Sequence, residues 1–181
     1  MLSNAPGDFA RRLYRHHLDA EIKPSYMTWR SINAPDGHPL AVLGYRSADT
    51  GSLYLEAYLN RPIEKVIHDT LAVEVSRSDI VEIGCLAAMP SAALVRLWLG
   101  SAIELGARHK IAVATLTAPL RKSFERVGLP LHPIVRADPL SAPRTDEQWG
   151  DYYGHDPIVC AGFIGEGAAA LSRYANRLGQ Y

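Results

Sequence analysis

Residues 78–129 constrain the fold more than any other part of the chain, because they carry strand, turn, helix, strand and helix in one unbroken run. IVEIGCLAA at 80–88 is apolar and rich in β-formers, with a single carboxylate, Glu82, in its middle. Pro90 and Ser91 break the strand. Leu94, Leu97, Trp98, Ala102 and Leu105 then recur at the spacing of one helical face, and Gly106 supplies a stop. IAVATL at 111–116 is a second short apolar strand. Thr117 caps a following helix with Pro119 in its first turn, Leu120, Phe124 and Val127 on one face, and Gly128 at its end. Two strands joined by a helix are expected to be parallel neighbours with a right-handed crossover.

The flanking segments extend this α/β core. Asp8 is placed to cap a helix over 9–20, with residues 1–8 as a loose tail. Strands are expected over 25–32 and 40–47, joined by a turn centred on Asp36-Gly37. LYLEAYL at 53–59 is a strand or a short helix; extended, it would put Tyr54, Glu56 and Tyr58 on one face. Asn60 is placed to cap a helix over 61–71 with Pro62 in its first turn. Pro130 and Pro133 make 129–140 an edge strand or irregular. A polar loop with embedded aromatics, 141–156, leads to a strand over 157–164 and a closing helix over 165–179 that Gly167 weakens. No repeat or linker divides the chain, and 181 residues suit one domain, 1–181.

Charge and composition narrow the function classes. Nineteen basic residues balance nineteen acidic ones, so no net charge draws the chain to nucleic acid or an anionic membrane. The longest uncharged run, Ile83 to Val95, is too short to span a bilayer and contains Pro90. MLSNAPGDFARRLYRHH lacks the apolar segment of a signal peptide, so a cytoplasmic location is expected, with Cys85 and Cys160 reduced. The histidines form no metal-ligand spacing and no CxxC is present, so no metal is expected. Walker, GxGxxG and GxSxG motifs are absent.

The strand-helix-strand-helix order resembles the core of the GNAT acyltransferase superfamily. Five stretches sharpen the likeness: LGYR at 43–46, LYLEAYLNRPIE at 53–64, IVEIGCLAA at 80–88, LRKSFERVGL at 120–129 and WGDYY at 149–153. Together they resemble the thermostable haemolysin family. The layout is also similar to acyl-homoserine-lactone synthases and N-acyl amino acid synthases. The resemblance implies a GNAT-like mixed sheet whose two parallel strands splay at their carboxyl ends to admit a pantetheine arm. It further implies an acyltransferase that moves an acyl group from a pantetheine thioester, on acyl carrier protein or coenzyme A, to the amine of a small acceptor. No cofactor would be bound permanently. The family's name keeps a membrane-active haemolysin open, although no long amphipathic apolar segment is present. A binding module that has lost its chemistry is the third alternative.

Within that frame Glu82 is the sharpest candidate. A carboxylate in a strand buried on both faces is costly unless it is paired or faces a cleft. It is either a general base for the acceptor amine or the partner of Arg46 or Arg77. The synthases carry a carboxylate in an E-x-x-R setting on the equivalent strand; here Cys85 stands in place of the Arg. Arg46, Glu56, Tyr58, Arg77 and Cys85 are candidates for acceptor binding, against a structural ion-pair network for the charged residues and a buried inert thiol for Cys85. By strand parity Cys85 points away from Glu82 unless a bulge intervenes. The family pattern has Asn at this position.

The donor side departs from the GNAT pattern. In the window Ala88-Met89-Pro90-Ser91-Ala92-Ala93 only Ala93 fits the glycine-rich phosphate loop, and Pro90 has no N–H to give. Leu86, Ala87, Ala88, Ser91, Ala92, Ala93, Thr115 and Phe124 are the candidates for holding the thioester and its phosphate. Phe124 replaces the usual tyrosine acid, leaving Tyr152, Tyr153, Tyr58 or water to protonate the leaving group. A chain that has lost the pyrophosphate loop but kept the slot suits a donor carried on a protein. Acyl carrier proteins are acidic, and Arg96, Arg121, Lys122 and Arg126 would form a basic docking face beside the slot, against the plain alternative of solvated helix faces. The oligomeric state is not readable.

Overall fold

The structure, a computed structural model, describes residues 5–89, 92–142 and 147–179. Ser91, proposed as a phosphate contact, and Pro90 lie outside the described residues. Among the described residues six strands form one mixed sheet in the order β1-β2-β3-β4-β6-β5, with β1 Thr28–Asn33, β2 Pro39–Ser47, β3 Ile80–Ala88, β4 Ile111–Leu116, β5 His132–Arg136 and β6 Ile158–Phe163. Only β3 and β4 pair in parallel; the other neighbours are antiparallel. α3, Ala93–Leu105, makes the crossover between the two parallel strands, as the sequence pattern requires. β5 lies at the sheet edge, where Pro133 costs no central ladder bond.

α1, Pro6–Leu18, lies on one face of the sheet and packs Phe9 and Ala10 with Leu13 and Tyr14 against Val42 and Ala87. α3 and α5, Ile164–Leu178, cover the opposite face. There Ala93 and Leu97 meet Ala41 and Leu43, and burying Leu97 alone stabilises by about 2 kcal/mol. α2, Ile63–Leu71, closes a cluster of Ile63 and Ile67 with Ile80, Ile111, Val113 and Val159.

Several boundaries differ from expectation. α1 begins at Pro6 with Ala5 as its cap; Asp8 sits in the first turn and pairs with Arg11 at 2.7 Å, so residues 5–8 are ordered into the helix rather than a tail. Pro62, not Asn60, occupies the N-cap of α2. Residues 54–58 form a 3-10 helix, which separates the side chains that an extended strand would have aligned. Gly106 caps α3 in the ordinary right-handed region, but a Cβ there would meet the Ala102 carbonyl at 2.7 Å, so close packing selects it. Gly128, at φ 77°, does need a glycine's freedom to end α4, Ala118–Arg126.

Candidate functional site

The site is created by two irregularities in β3. The parallel ladder with β4 ends at Glu82↔Val113, although both strands continue, so their carboxyl ends part. On the other edge, Gly44 pairs with Gly84 and Val42 with Ala87, so Leu43 alone faces Cys85 and Leu86. That extra residue is a β-bulge, and Cys85 takes it with φ 49°. Asn tolerates this left-handed conformation better than Cys, so the Asn expected here from the family resemblance would carry less backbone strain than Cys85 does. The bulge also overturns simple parity: Glu82, Gly84 and Cys85 line the same cavity.

Glu82 is 2% exposed. Its Oε1 accepts the Leu55 N–H at 2.8 Å; its Oε2 accepts the Tyr54 N–H at 3.0 Å and Arg46 Nε at 3.2 Å. Burial pushes its carboxyl above the ordinary range, against the pull of those two N–H groups and of Arg46. A carboxylate offers about four acceptor positions, so three bonds leave one on Oε1. Arg46 is the cross-strand neighbour of Glu82; it also donates to the Ser52 carbonyl at 3.0 Å and lies 3.7 Å from the Tyr54 ring centre.

Three cavities converge here. The first, about 110 Å³, is polar and aromatic, with Tyr26, Tyr54, Tyr58, Glu82, Glu147 and Trp149 in its wall. The second, about 140 Å³, is apolar and runs between the sheet and α3, past Ile83, Leu86, Trp98, Val113 and Phe124. The third, about 450 Å³, opens between α1 and the start of α4, past His17, Ala88, Thr117, Ser123 and His155. Tyr14 and Thr115 line all three; Cys85 is shared by the first two, Leu86 by the second and third, and Tyr152 by the first and third. The junction therefore lies where β3 and β4 part.

The predicted residues divide. Tyr58, Glu82, Cys85, Leu86, Ala87, Ala88, Thr115, Phe124 and Tyr152 come together around these cavities. Tyr152 is buried, its hydroxyl donates to the Thr115 carbonyl at 3.4 Å, and burial raises its pKa far above the usual phenol value. Tyr153 instead shares a 2.9 Å hydrogen bond with Tyr58. Burial pushes the Cys85 thiol up to about 12, with Glu147 and Glu82 adding to it. Phe124 stacks on Trp98 at 4.2 Å. Ala93 is packed under the sheet and Ala92 is exposed at the start of α3.

Arg46, Glu56 and Arg77 lie outside the linings of these cavities. Glu56 accepts from the N–H of Leu53 and of Ile63, each at 2.8 Å, and from both Nη atoms of Arg77 at 2.7 and 3.1 Å. Burial pushes its carboxyl up, but Arg77 and the two N–H groups outweigh it and hold it low. Arg77 also binds Glu64 and the carbonyls of Ala48 and Gly51. Together they tie residues 48–64 to the edge of the site. Of the proposed docking cations, Arg96, Lys122 and Arg126 are exposed. Arg121 donates to the carbonyls of Leu116 and Asp156 at 2.7 and 2.6 Å and to the Asp156 carboxylate at 2.8 Å, which ties the end of β4 to β6.

The sequence did not single out Tyr26. Gly44 and Gly84 are cross-strand partners, and a Cβ on either would meet the Tyr26 ring, 2.6 Å from Cγ for Gly44 and 2.6 Å from Cζ for Gly84. The paired glycines form a flat floor for that ring, which extends over β3 beside Glu82. Two glycines in separate strands were the available signal, but only the register joins them.

The mixed sheet, the α3 crossover and the splay of β3 from β4 define a GNAT-like fold. The chain belongs to the thermostable hemolysin family, whose model matches residues 3–168. Solved structures share the fold at low identity. TofI in an apo form matches at a TM-score of 0.61 with 14% identity, over 92% of this chain and 86% of that one. FeeM, an N-acyl amino acid synthase from uncultured soil microbes, matches at 0.57 with 13% identity, over 90% and 93%. BjaI, a CoA-dependent acyl-homoserine lactone synthase with SAM and isopentyl-CoA, matches at 0.57 with 10% identity, over 88% and 69%. No curated protein matches the sequence. Among the described residues no helix is long and apolar enough to cross a membrane, and no group of three or more His, Cys, Asp or Glu is placed to hold a metal ion.

Proposed function

We propose that this protein is an acyltransferase that moves an acyl group from a pantetheine thioester to the amine of a small acceptor. The observation that carries this reading is the meeting of an open slot, an apolar cavity and a polar cavity at the parted ends of β3 and β4. Acyl transfer needs three such compartments: one for the donor arm, one for the acyl chain and one for the acceptor. FeeM and BjaI, which share the fold, are described as synthases of acylated products.

In this reading the pantetheine amides pair with backbone groups that β3 and β4 no longer give to each other beyond Glu82 and Val113. The acceptor amine, entering neutral from the polar cavity, attacks the thioester carbonyl. As the C–N bond forms, its proton passes to the open position on Glu82 Oε1, directly or through one water. The C–S bond then breaks. Tyr152, kept protonated by its raised pKa, turns its single O–H from the long 3.4 Å contact with the Thr115 carbonyl to the departing thiolate, which takes its proton from solvent. Tyr153, engaged with Tyr58, supports the wall of the acceptor cavity. Cys85, protonated at neutral pH, is a wall residue and not a nucleophile.

The preferred donor is an acyl carrier protein, with coenzyme A thioesters weaker. Exposed Arg96, Lys122 and Arg126 supply the docking cations, while Arg121 is engaged with Asp156. The test is the rate with one acyl group on each donor. Faster use of the carrier form supports this preference, and equal or faster use of the coenzyme A form refutes it.

A further inference from the structure

Among the described residues three buried side-chain polar atoms have no hydrogen-bond partner: Ser47 Oγ, Trp98 Nε1 and Ser101 Oγ. Trp98 and Ser101 both line the apolar cavity, at 6% and 3% exposure. They lie three residues apart on α3 and so share one of its faces. An unpaired buried donor is a standing cost, and a buried Trp N–H ordinarily finds a partner. Phe in place of Trp98 would keep the stack on Phe124, and Ala in place of Ser101 would keep the helix, each without the orphaned atom. A cavity shaped only for a saturated hydrocarbon tail has no use for either polar group.

Resting on the acyl-transfer reading, we infer that the acyl chain taken into this cavity carries an oxygen, as a keto or hydroxyl group, that is held by Trp98 Nε1–H and the Ser101 hydroxyl. Trp98 can only donate, so the chain must bring an acceptor. A keto oxygen has two lone pairs and accepts from both residues. A hydroxyl oxygen accepts from Trp98 while donating to Ser101 Oγ. Leu43, Val113, Leu120 and Phe124 in the same wall offer such an oxygen nothing, and the other polar side chains of the lining, Tyr14, Cys85, Thr115 and Cys160, stand on α1 and on the strands rather than on α3, so Trp98 and Ser101 mark one place along the chain. An oxygen set among the apolar residues would be desolvated without a partner and rejected. A plain chain would leave both residues unpaired.

The test is equilibrium binding, without acceptor, of acyl-pantetheine thioesters of one chain length: the saturated chain, and isomers with a keto or hydroxyl group moved along it carbon by carbon. One oxygenated isomer is expected to bind about tenfold tighter than the saturated chain. Trp98→Phe and Ser101→Ala should each cut that preference to about threefold or less. Affinity for the saturated chain should fall far less than affinity for the oxygenated isomer, and Ser101→Ala, which removes one orphaned oxygen and opens little space, should keep or raise the melting temperature of the free protein. A saturated chain that binds as well as every oxygenated isomer would overturn the inference, as would variants that lose affinity for both chains alike. Failure of every thioester to bind, oxygenated or not, would overturn the acyl-transfer reading itself and this inference with it.

Discussion

Glu82→Gln separates the two roles open to the buried carboxylate. The substitution keeps the shape and removes one oxygen. The least costly orientation keeps a carbonyl oxygen on the Tyr54 N–H and Arg46 Nε, at the Oε2 position. The new NH₂ then faces the Leu55 N–H, which Oε1 accepted at 2.8 Å, and two donors oppose each other in a site that is 2% exposed. Leaving one buried N–H unpaired costs about 1–3 kcal/mol. Relief of a charge that burial disfavours offsets part of this, so a net loss of about 2 kcal/mol is expected. In a chain of this size that lowers the melting temperature by roughly 4–8 °C. If Glu82 also takes the acceptor's proton, turnover per folded molecule should fall about 100-fold while donor binding stays within about twofold. Thermal unfolding gives the first quantity and steady-state kinetics corrected for the folded fraction gives the second. A variant that melts early but turns over at the wild-type rate would refute the base role and leave Glu82 as a strut between β3, Arg46 and residues 54–55.

Gly84→Ala would place a methyl 2.6 Å from Tyr26 Cζ, so the ring must leave its floor. A loss of about 1–3 kcal/mol, together with a weakened acceptor KM, is expected, and a variant as stable and active as wild type would contradict that packing. Cys85, with its thiol pushed up to about 12, should alkylate at pH 8 about a thousandfold more slowly than an ordinary thiol and speed up tenfold per pH unit, which mass spectrometry of the labelled peptide follows. Rapid labelling at neutral pH would mean that the thiol is not held in its buried setting. Reversing charge at Lys122 and Arg126, which are exposed, should slow transfer from a carrier protein at least about tenfold and spare transfer from coenzyme A thioesters; equal effects on both donors would remove the docking face. Arg121 is unsuitable for that experiment because its reversal would break the Asp156 tie.

The central β3-α3-β4 unit was legible because apolar runs of the right length stand between strong breakers, and the β3 and β4 boundaries match the sequence runs 80–88 and 111–116. Glu82 was legible as a charge where none is cheap. What failed depended on long-range geometry or on caps without a side-chain signature. Ala5 and Pro62 cap their helices with no side-chain bond, so the polar residues Asp8 and Asn60 misdirected the starts of α1 and α2. Glu56 and Arg77 were open in the sequence between acceptor binding and a structural ion pair, because both are charged and near the core; the 3-10 turn at 54–58 brings them to each other. The Cys85 bulge was foreseen as a possibility but needed the pairing of Gly44 with Gly84 and of Val42 with Ala87 to be located. Tyr26 was invisible for the same reason.

The most direct test of the acyl-transfer account is to incubate the protein with acyl-pantetheine thioesters, free and on acyl carrier protein, together with a panel of small amines. Thiol release and the mass of any acylated amine are followed together. The account predicts thiol release that depends on an amine, matched one for one by an N-acyl product and abolished by a bulky residue at Thr115, which lines all three cavities. Thiol release that never exceeds the protein-free rate with any donor and amine, or that proceeds by hydrolysis without an acylated amine, would contradict it.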